Sequence, residues 1–321
     1  MDFIKPYIQI IEERLSQLNF PDEPENLYSP IKYSLSVGGK RIRPALTLIS
    51  AELFGSTIEQ AVPAALGVEI FHNFTLIHDD IMDEAPLRRK QPTVSAKWGR
   101  DIAILSGDVM MIMAYQQFQH YSGDKLSLLF SLFNKTAVEV CEGQQMDMNF
   151  ETQRNVTVDE YIKMITLKTS VLLAASLQMG AIVANASAQN QEAIYAFGKN
   201  LGIAFQLQDD LLDTFGSEDD FGKKIGGDIL ARKKTFLFLK AFENATGEEK
   251  KLLEEAYFSY KKPNPDLVKQ IFKSTAADKL CREEIEFYLK KSLDSMNNIN
   301  VSHPNIELLK NLSEQLIHRT V

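Results

Sequence analysis

Two segments of the chain share the pattern Asp-Asp-apolar-apolar-Asp, which crowds three carboxylates onto one short stretch. On a helix these positions lie on one face within about one turn, roughly 6 Å along the axis, so the carboxylates repel each other unless a cation lies between them. Oxygen ligands at this spacing suit Mg²⁺, which keeps several waters and is completed by phosphate oxygens. The sequence therefore predicts two metal-binding segments, formed by Asp79, Asp80 and Asp83 and by Asp209, Asp210 and Asp213.

A solvated acidic helix face is the main alternative for either aspartate cluster taken alone. The first cluster ends an apolar stretch, "LIHDDIMD", and the pattern recurs in a second apolar stretch, "LQDDLLD". Both facts favour a functional role. An EF-hand calcium loop does not fit, because neither cluster has aspartates at alternate positions together with the turn glycine.

Basic residues close to these clusters indicate sites for anions such as phosphates. The segment "SVGGKRIRPAL" places two glycines and three basic residues at the start of an apolar helix, although the spacing of a P-loop is missing. The run "RRK" follows the first aspartates, and arginine makes planar, bidentate contacts with phosphates. After the second cluster, "DDFGKKIGGDILARKKT" fits a loop that covers a phosphate as well as it fits an exposed loop.

Composition limits the classes of protein that the chain can belong to. The 321 residues include 45% hydrophobic residues and carry a net charge of -8, which allows a large core and argues against a broad basic face for nucleic acid. Cys141 and Cys281 form no CxxC pair, which favours a reducing compartment without structural zinc. The apolar stretch 170–184 is too short to span a bilayer and is predicted as a buried helix. We expect a cytoplasmic protein that is not an integral membrane protein.

Apolar residues with helical period dominate the chain between Pro92 and Pro263, where no proline occurs. This pattern predicts an all-α protein, and alternating strands with hairpin turns are not predicted. The breaks between helices contain no long glycine-, serine- or proline-rich linker. We therefore expect one domain over residues 1–321, with several nearly all-apolar helices at the centre of one large bundle.

Taken together and in order, these motifs resemble those of the trans isoprenyl diphosphate synthases, the farnesyl and geranylgeranyl diphosphate synthase family. The matching segments span residues 38–235 and are "GGKRIRP", "LIHDDIMDEAPLRRK", "GD" at 107–108, "GQQMD" at 143–147, "KT" at 168–169, "FQLQDDLLD" at 205–213 and "GKKIGGD" followed by "RKKT". The resemblance implies the type I isoprenoid synthase fold, a helical bundle around a central prenyl-chain cavity. It also implies a homodimer and the substrates isopentenyl diphosphate and an allylic diphosphate.

The resemblance also assigns roles to individual residues. It implies that the two aspartate motifs together hold three Mg²⁺ ions on the allylic diphosphate, which leaves to give an allylic cation. The double bond of isopentenyl diphosphate then attacks this cation, and the released pyrophosphate takes the proton that the product loses, so no protein base is assigned and His78 receives no such role. The implied isopentenyl diphosphate site is Lys40, Arg43, His72 and Arg89. The implied allylic site is Arg88, Lys168, Thr169, Gln206 and Lys223, with Gln144 and Asp147 beside the pocket and Lys233 near the diphosphate.

Product length is predicted from the residues just before the first aspartate. In the family that the motifs resemble, the positions five and four residues earlier set the floor of the chain tunnel, and here they are Phe74 and Thr75. A single aromatic at the earlier position resembles geranylgeranyl synthases, so a C20 product is predicted, with a C15 farnesyl product as the alternative. An ideal helical wheel places Phe74 nearly opposite the aspartate face. Other candidates for the floor are therefore Phe71, Met110 and Met111.

Two more distant functions share part of this pattern. A class I terpene cyclase has an all-α fold and a first aspartate motif, but usually carries an Asn/Ser/Glu motif where this chain has "DDLLD". A non-catalytic partner subunit of a prenyltransferase tends to lose an aspartate cluster, and this chain retains both. Elongation, cyclisation or no reaction with labelled isopentenyl diphosphate distinguishes the three.

Overall fold

Helices make up most of the chain in the computed structural model, which describes residues 2–216, 226–259 and 262–317. The predicted all-α class is therefore confirmed. The helices of the N-terminal half are α1 Lys5–Ser16, α2 Glu25–Ser36, α3 Ile42–Leu53, α4 Ile58–Met82, α5 Val94–Trp98, α6 Arg100–Gln117 and α7 Gly123–Thr152, with short 3-10 turns at Asp2–Ile4 and Phe118–His120.

The apolar stretch 170–184, predicted as a buried helix, does form a helix, and a π-helical turn joins that helix to the one before it. Helix α8 covers Val158–Ile165, the π turn covers Thr166–Ser170, and α9 continues over Val171–Val183. Helix α10, Ala188–Phe215, carries the second aspartate cluster. The later helices are Gly227–Leu230, Phe236–Asn244, Gly247–Phe258, Pro265–Ser274, Ala277–Ser295 and Asn305–Ile317, with a 3-10 turn at Met296–Asn298.

One short β-hairpin follows α4, where the sequence analysis predicted no hairpin. Strands β1, Leu87–Arg88, and β2, Gln91–Pro92, pair antiparallel. The two turn residues, Arg89 and Lys90, have positive φ angles of 53° and 63°. Strands of this length give no alternating pattern, and the turn lacks the glycine or asparagine that usually marks such φ values, so the sequence carries no signal for it.

The described residues group into two compact units. The first draws on residues 1–134, 175–192 and 300–308, and the second on residues 135–174, 193–299 and 309–321. Each unit is discontinuous in sequence. The single domain over residues 1–321 stays a prediction.

Close helix packing in the first unit places α4 against its neighbours. A Cβ atom added at Gly67 of α4 would lie 3.2 Å from the Ala114 carbonyl oxygen of α6. Ser50 of α3 donates a 2.6 Å hydrogen bond to the carbonyl oxygen of Leu177 in α9. The first contact packs α4, the long helix that ends in the first aspartate cluster, against α6, and the second joins α3 to α9.

One stretch, Val158–Val183, is long and apolar enough to cross a membrane by length and composition. This differs from the sequence analysis, which judged the shorter stretch 170–184 too short. In the structure 72% of its most apolar window is buried, as in the core helix of a soluble protein.

Candidate functional site

The first aspartate cluster lies at the C-terminal end of α4, and its middle residue is held by an arginine of the hairpin. Asp80 is only 4% exposed. Arg88 Nε donates to its Oδ1 at 2.9 Å and to its Oδ2 at 3.0 Å, and Arg88 Nη2 lies 2.8 Å from Oδ1 in the same ion pair. Burial raises the pKa of Asp80, and the contact with Arg88 opposes this rise. Asp83 caps the helix, since its N–H donates to the Asp79 carbonyl oxygen at 2.8 Å.

The glycine pair before α3 allows a close approach by the second hairpin arginine. Gly39 has a φ of +156°, and an added Cβ there would lie 2.8 Å from both terminal nitrogens of Arg89. Any side chain at Gly39 would therefore push the Arg89 guanidinium away. The predicted anion-binding loop and Arg89 are thus neighbours in the first unit.

Two of the residues predicted for isopentenyl diphosphate are in direct contact. Arg43 Nη1 lies 3.2 Å from His72 Nε2. Burial, followed by the charges of Arg43 and Arg89, lowers the pKa of His72 well below its usual value. A neutral His72 accepts from Arg43 and adds no charge, so the positive potential here comes from the arginines.

Arg41, the middle basic residue of "GGKRIR", is turned into the core of the first unit. Its side chain is 0% exposed and pairs with Glu69, with Glu12 at 2.8 Å and with the carbonyl oxygen of Leu35 at 2.6 Å. Asn73 donates to the same Glu69 carboxylate at 2.9 Å. Arg41 therefore ties α1, α3 and α4 together and leaves the anion site to other basic residues.

The second aspartate cluster lies on α10, and its middle residue is again buried and held by protein donors. Asp210 is 5% exposed; Tyr161 donates to its Oδ2, and Gln206 donates to its Oδ1 at 2.9 Å. Burial, together with the charge of Asp228, raises the pKa of Asp210 well above its usual value. Asp213 accepts the backbone N–H of Asp228 at 2.9 Å.

The π turn holds Lys168 and Thr169 between two glycines. Added Cβ atoms at Gly143 of α7 and Gly202 of α10 would collide with the backbone of this turn. Lys168 Nζ lies 2.6 Å from Asp147 Oδ2, and Thr169 donates to Gln206 Oε1 at 3.1 Å. π-Helical turns inside longer helices are frequent at functional sites.

Charge and burial around Asp147 oppose each other. Burial acts to raise the pKa of Asp147, but the charges of Lys168 and Lys233 outweigh it and hold the pKa below its ordinary value. The structure thus brings both predicted lysines near Asp147. The neighbouring Gln144 is buried at 8% exposure.

The basic loop after the second cluster is only partly described. Lys223 lies outside the described residues. Lys233 donates its backbone N–H to the Asp228 carbonyl oxygen at 2.9 Å. Lys234, which the sequence analysis did not select, is 7% exposed, and its ammonium group donates to the carbonyl oxygens of Phe150 and Glu151. It holds the C-terminal end of α7.

Aromatic rings surround the position predicted to limit chain length. The Phe74 ring centroid lies 5.6 Å from that of Phe71 and 4.6 Å from that of His78. Phe71 is fully buried and lies 5.1 Å from Phe133. The Thr75 hydroxyl donates back to the His72 carbonyl oxygen at 2.8 Å. Phe74 is therefore the outer member of a layered aromatic cluster in the first unit.

Neither aspartate cluster alone forms a closed metal site. Within residues 2–216, 226–259 and 262–317, no three carboxylate, histidine or cysteine side chains gather closely enough to hold a metal ion. Open sites of this kind suit Mg²⁺, which keeps water ligands and shares phosphate oxygens with its substrate.

Three functional or supporting residues escaped the sequence analysis: Tyr161, Glu69 and Lys234. Each is buried and contacts a residue far away in sequence, as Tyr161 and Asp210 do across 49 positions. A lone tyrosine or glutamate inside an apolar helix, or one lysine of the basic run 232–234, carries no local sign of such a partner.

Comparisons of the sequence and the fold with known proteins identify one family. The model of the polyprenyl synthetase family matches residues 24–275. A geranylgeranyl diphosphate synthase of Methanosarcina mazei is 41% identical over 245 residues, 76% of each chain. A geranylgeranyl pyrophosphate synthase of Geoglobus acetivorans is 36% identical over 320 residues, 99% of this chain and 98% of that protein. A crystal structure of a geranylgeranyl pyrophosphate synthase superposes with a TM-score of 0.94 at 44% identity, covering 99% of both chains.

The fold and the paired aspartate motifs define an all-α prenyltransferase. The chain belongs to the polyprenyl synthetase family, and its curated and structural relatives are trans-prenyl diphosphate synthases.

Proposed function

We propose that the chain condenses isopentenyl diphosphate with allylic diphosphates (dimethylallyl, geranyl and farnesyl) and releases geranylgeranyl diphosphate. The observation that carries the C20 product is Phe74, a single aromatic five residues before Asp79 that is backed by the buried Phe71. The similarity over nearly the whole chain to proteins named geranylgeranyl pyrophosphate synthases supports it. A farnesyl product is the competing outcome.

The donor set of the two clusters fits a hard divalent cation, and members of the family use one. Both clusters supply carboxylate oxygens, which Mg²⁺ prefers. The charges of Asp228 and Asp209 act on the buried Asp210 to raise its pKa, a repulsion that a cation would offset. The proposed ligands are Asp79, Asp80, Asp83, Asp209, Asp210 and Asp213, with three Mg²⁺ per substrate-loaded site.

The bound cation and the basic side chains both stabilise the negative charge of the leaving diphosphate. Bound Mg²⁺ would neutralise the charge that grows on the diphosphate as its C–O bond breaks. Arg88, oriented by Asp80, and Lys168, oriented by Asp147, supply positive charge to the same diphosphate in this proposal. Lys223 is assigned to the allylic diphosphate as well, from the sequence alone.

In this proposal, isopentenyl diphosphate binds to basic residues of the first unit other than Arg88. We assign its diphosphate to Lys40, Arg43, His72 and Arg89, of which Arg43 and His72 are in contact and Arg89 lies against Gly39. Thr169 and Gln206 present their oxygens to the allylic end of the chain. His78 lies against Gly107 and receives no role as a base.

A homodimer and a cytoplasmic location complete the proposal. Ile104, Leu105 and Ile112 of α6 are 36%, 58% and 58% exposed and share one helix face, which a second copy would cover. Neither Cys141 nor Cys281 is in a disulfide, as is usual for proteins of reducing compartments.

Product analysis tests the proposal. Purified protein is incubated with labelled isopentenyl diphosphate, each allylic primer and Mg²⁺, with a chelator in a parallel sample, and the dephosphorylated alcohols are separated by chromatography. The wild type should give the C20 alcohol, and the chelator should stop elongation. A cyclised hydrocarbon, no product, or a main product of C30 or more would overturn the function.

Phe74→Ala tests the floor of the tunnel. An isoprene unit extends roughly 5 Å, about one helical turn, so removing the ring should admit about one more unit. Phe287→Ala is the matched control, because Phe287 is 53% exposed on another helix and its loss should leave the C20 product unchanged. An unchanged length distribution from a folded, active Phe74→Ala variant would remove Phe74 as the floor.

A further inference from the structure

Tyr161 is a buried tyrosine whose hydroxyl reaches the second aspartate cluster. It lies on α8, is 2% exposed, and donates its hydroxyl hydrogen to Oδ2 of Asp210 on α10. The N-terminal end of α8 is fixed by a capping box in which Thr157 and Glu160 satisfy each other's backbone N–H groups. The tyrosine therefore extends from a helix whose start is well anchored.

Two series of hydrogen bonds link Asp210 to the segment made of α8 and the π turn. Its Oδ1 accepts from Gln206 at 2.9 Å, and Gln206 in turn accepts from Thr169 of the π turn at 3.1 Å. Its Oδ2 accepts from Tyr161, which precedes the π turn on α8. Oδ2 is thus bound directly to the segment that carries Lys168 and Thr169, and Oδ1 is linked to that segment through Gln206 of α10.

This arrangement explains why a tyrosine is needed where phenylalanine would fill nearly the same volume. A carboxylate at 5% exposure is stable only when its oxygens have hydrogen-bond donors. Without the Tyr161 hydroxyl, Asp210 would keep the donor Gln206 and lose the donor that binds its Oδ2 among the described residues. The carboxylate would then be free to rotate. Of the two hydrogen bonds described above that join the α8–π-turn segment to α10, only Thr169 to Gln206 would remain.

We propose that Tyr161 is a positioning residue for allylic diphosphate binding. By fixing Asp210 it sets the relative positions of two groups: the lysine and threonine of the π turn, and the aspartates on either side of Asp210. This inference rests on the proposed function, because it takes these groups to bind the allylic diphosphate and its metal ions.

Tyr161→Phe removes the hydroxyl and keeps the ring. Loss of a residue that orients a metal-binding group typically costs about 10- to 100-fold in affinity or activity. We expect a loss of this size in kcat/KM for the allylic substrate, with the KM for isopentenyl diphosphate unchanged. The affinity for a non-ionising allylic thiolodiphosphate in the presence of Mg²⁺, measured by calorimetry, should fall by a similar factor. This readout does not depend on turnover.

Tyr121→Phe is the matched control. The Tyr121 hydroxyl donates to the Gln60 carbonyl oxygen at 2.7 Å in the first unit, so its loss also removes a hydrogen bond of a tyrosine to its surroundings. It should lower the melting temperature and leave both KM values and the analogue affinity unchanged. A purely structural role for Tyr161 would give the same result as this control.

The double variant Tyr161→Phe/Asp210→Asn tests whether Tyr161 acts through Asp210. In the Asp210→Asn background, Tyr161→Phe should cause no further loss of analogue affinity. If Tyr161→Phe alone does not fold, the double variant should restore a cooperative melting transition, because a buried amide that lacks one hydrogen-bond partner costs less than a buried carboxylate that lacks a donor. Failure to restore it would overturn the proposal.

The outcomes separate this inference from the proposed function. A folded Tyr161→Phe variant with wild-type allylic kcat/KM and analogue affinity, beside a wild type that makes prenyl products, would overturn the role of Tyr161 alone. A further loss from Tyr161→Phe in the Asp210→Asn background would do the same. A wild type that elongates no primer would overturn the function itself.

Discussion

Gly143 of α7 is the point where an added methyl group should damage the site without replacing any residue that is proposed to bind metal or substrate. A Cβ atom there would lie 2.7 Å from both the Leu167 carbonyl carbon and Lys168 Cα, and closer still to Lys168 N. Ordinary contact begins at 3.4 Å, so these two backbone atoms must retreat by at least about 3.4 − 2.7 = 0.7 Å. Since they belong to the π turn, Lys168 moves with them.

Two opposing effects set the size of the stability change in Gly143→Ala. Alanine is favoured over glycine inside a helix by about 1 kcal/mol. Overpacking against backbone costs about 1–3 kcal/mol. The net result is a loss of about 0–2 kcal/mol. The effect on turnover is larger, because a displacement of about 1 Å at a reacting site costs about 100-fold.

The measurements are the thermal unfolding of Gly143→Ala and its rate of condensation with labelled isopentenyl diphosphate. Gly67→Ala is the control, because the added Cβ lies 3.2 Å from its nearest neighbours in the first unit, where a shift of a few tenths of an ångström is enough. It should keep wild-type turnover. If Gly143→Ala melted at a higher temperature and kept wild-type turnover, the claim that close packing at Gly143 positions the π turn for catalysis would be wrong.

Two further predictions concern buried charge. Glu69→Ala leaves Arg41 buried with its main partner removed, so it should lower the free energy of unfolding by about 3–5 kcal/mol in denaturant titration, and a loss below about 1 kcal/mol would contradict the structural role of the pair. Asp147 has a folded-state pKa below its ordinary 3.8, so its stabilisation is complete above that pH and is lost as the pH falls through the lower folded value. The stability difference between wild type and Asp147→Asn, followed by melting across pH, should stay constant near neutrality and shrink below pH 3.8; a difference that already shrinks near neutrality would contradict this assignment.

The sequence predicts those parts of the molecule whose signals are local. The helices follow from apolar residues at helical period, and the aspartate clusters follow from a spacing that one helix turn explains. The π turn at Thr166–Ser170 does not follow, because the residues on both sides keep a helical pattern. The hairpin at Leu87–Pro92 is too short to show alternation.

The direction in which a charged side chain points was the part of the site that local pattern did not determine. In "GGKRIR" the three basic residues look equivalent, yet Arg41 starts α3 with a φ of 45° and turns toward Glu69, which is 28 positions away. Only the packing of α3 against α4 separates this arginine from Arg43, which contacts His72. Local pattern therefore found the basic cluster but did not distinguish its members; only the family resemblance, which assigned Lys40 and Arg43 and left Arg41 out, did so.

The two aspartate motifs share more than their spacing. In each, the middle residue is the one buried below 6% exposure and bound through its carboxylate by its own unit, Asp80 by Arg88 and Asp210 by Tyr161 and Gln206. A middle carboxylate held in this way fixes the rotation of the helix end that carries its neighbours. The repeated pattern in the sequence thus corresponds to a repeated construction, in which one aspartate anchors each cluster. The positions of the other two carboxylates, which the proposed function also assigns to metal binding, depend on that anchor.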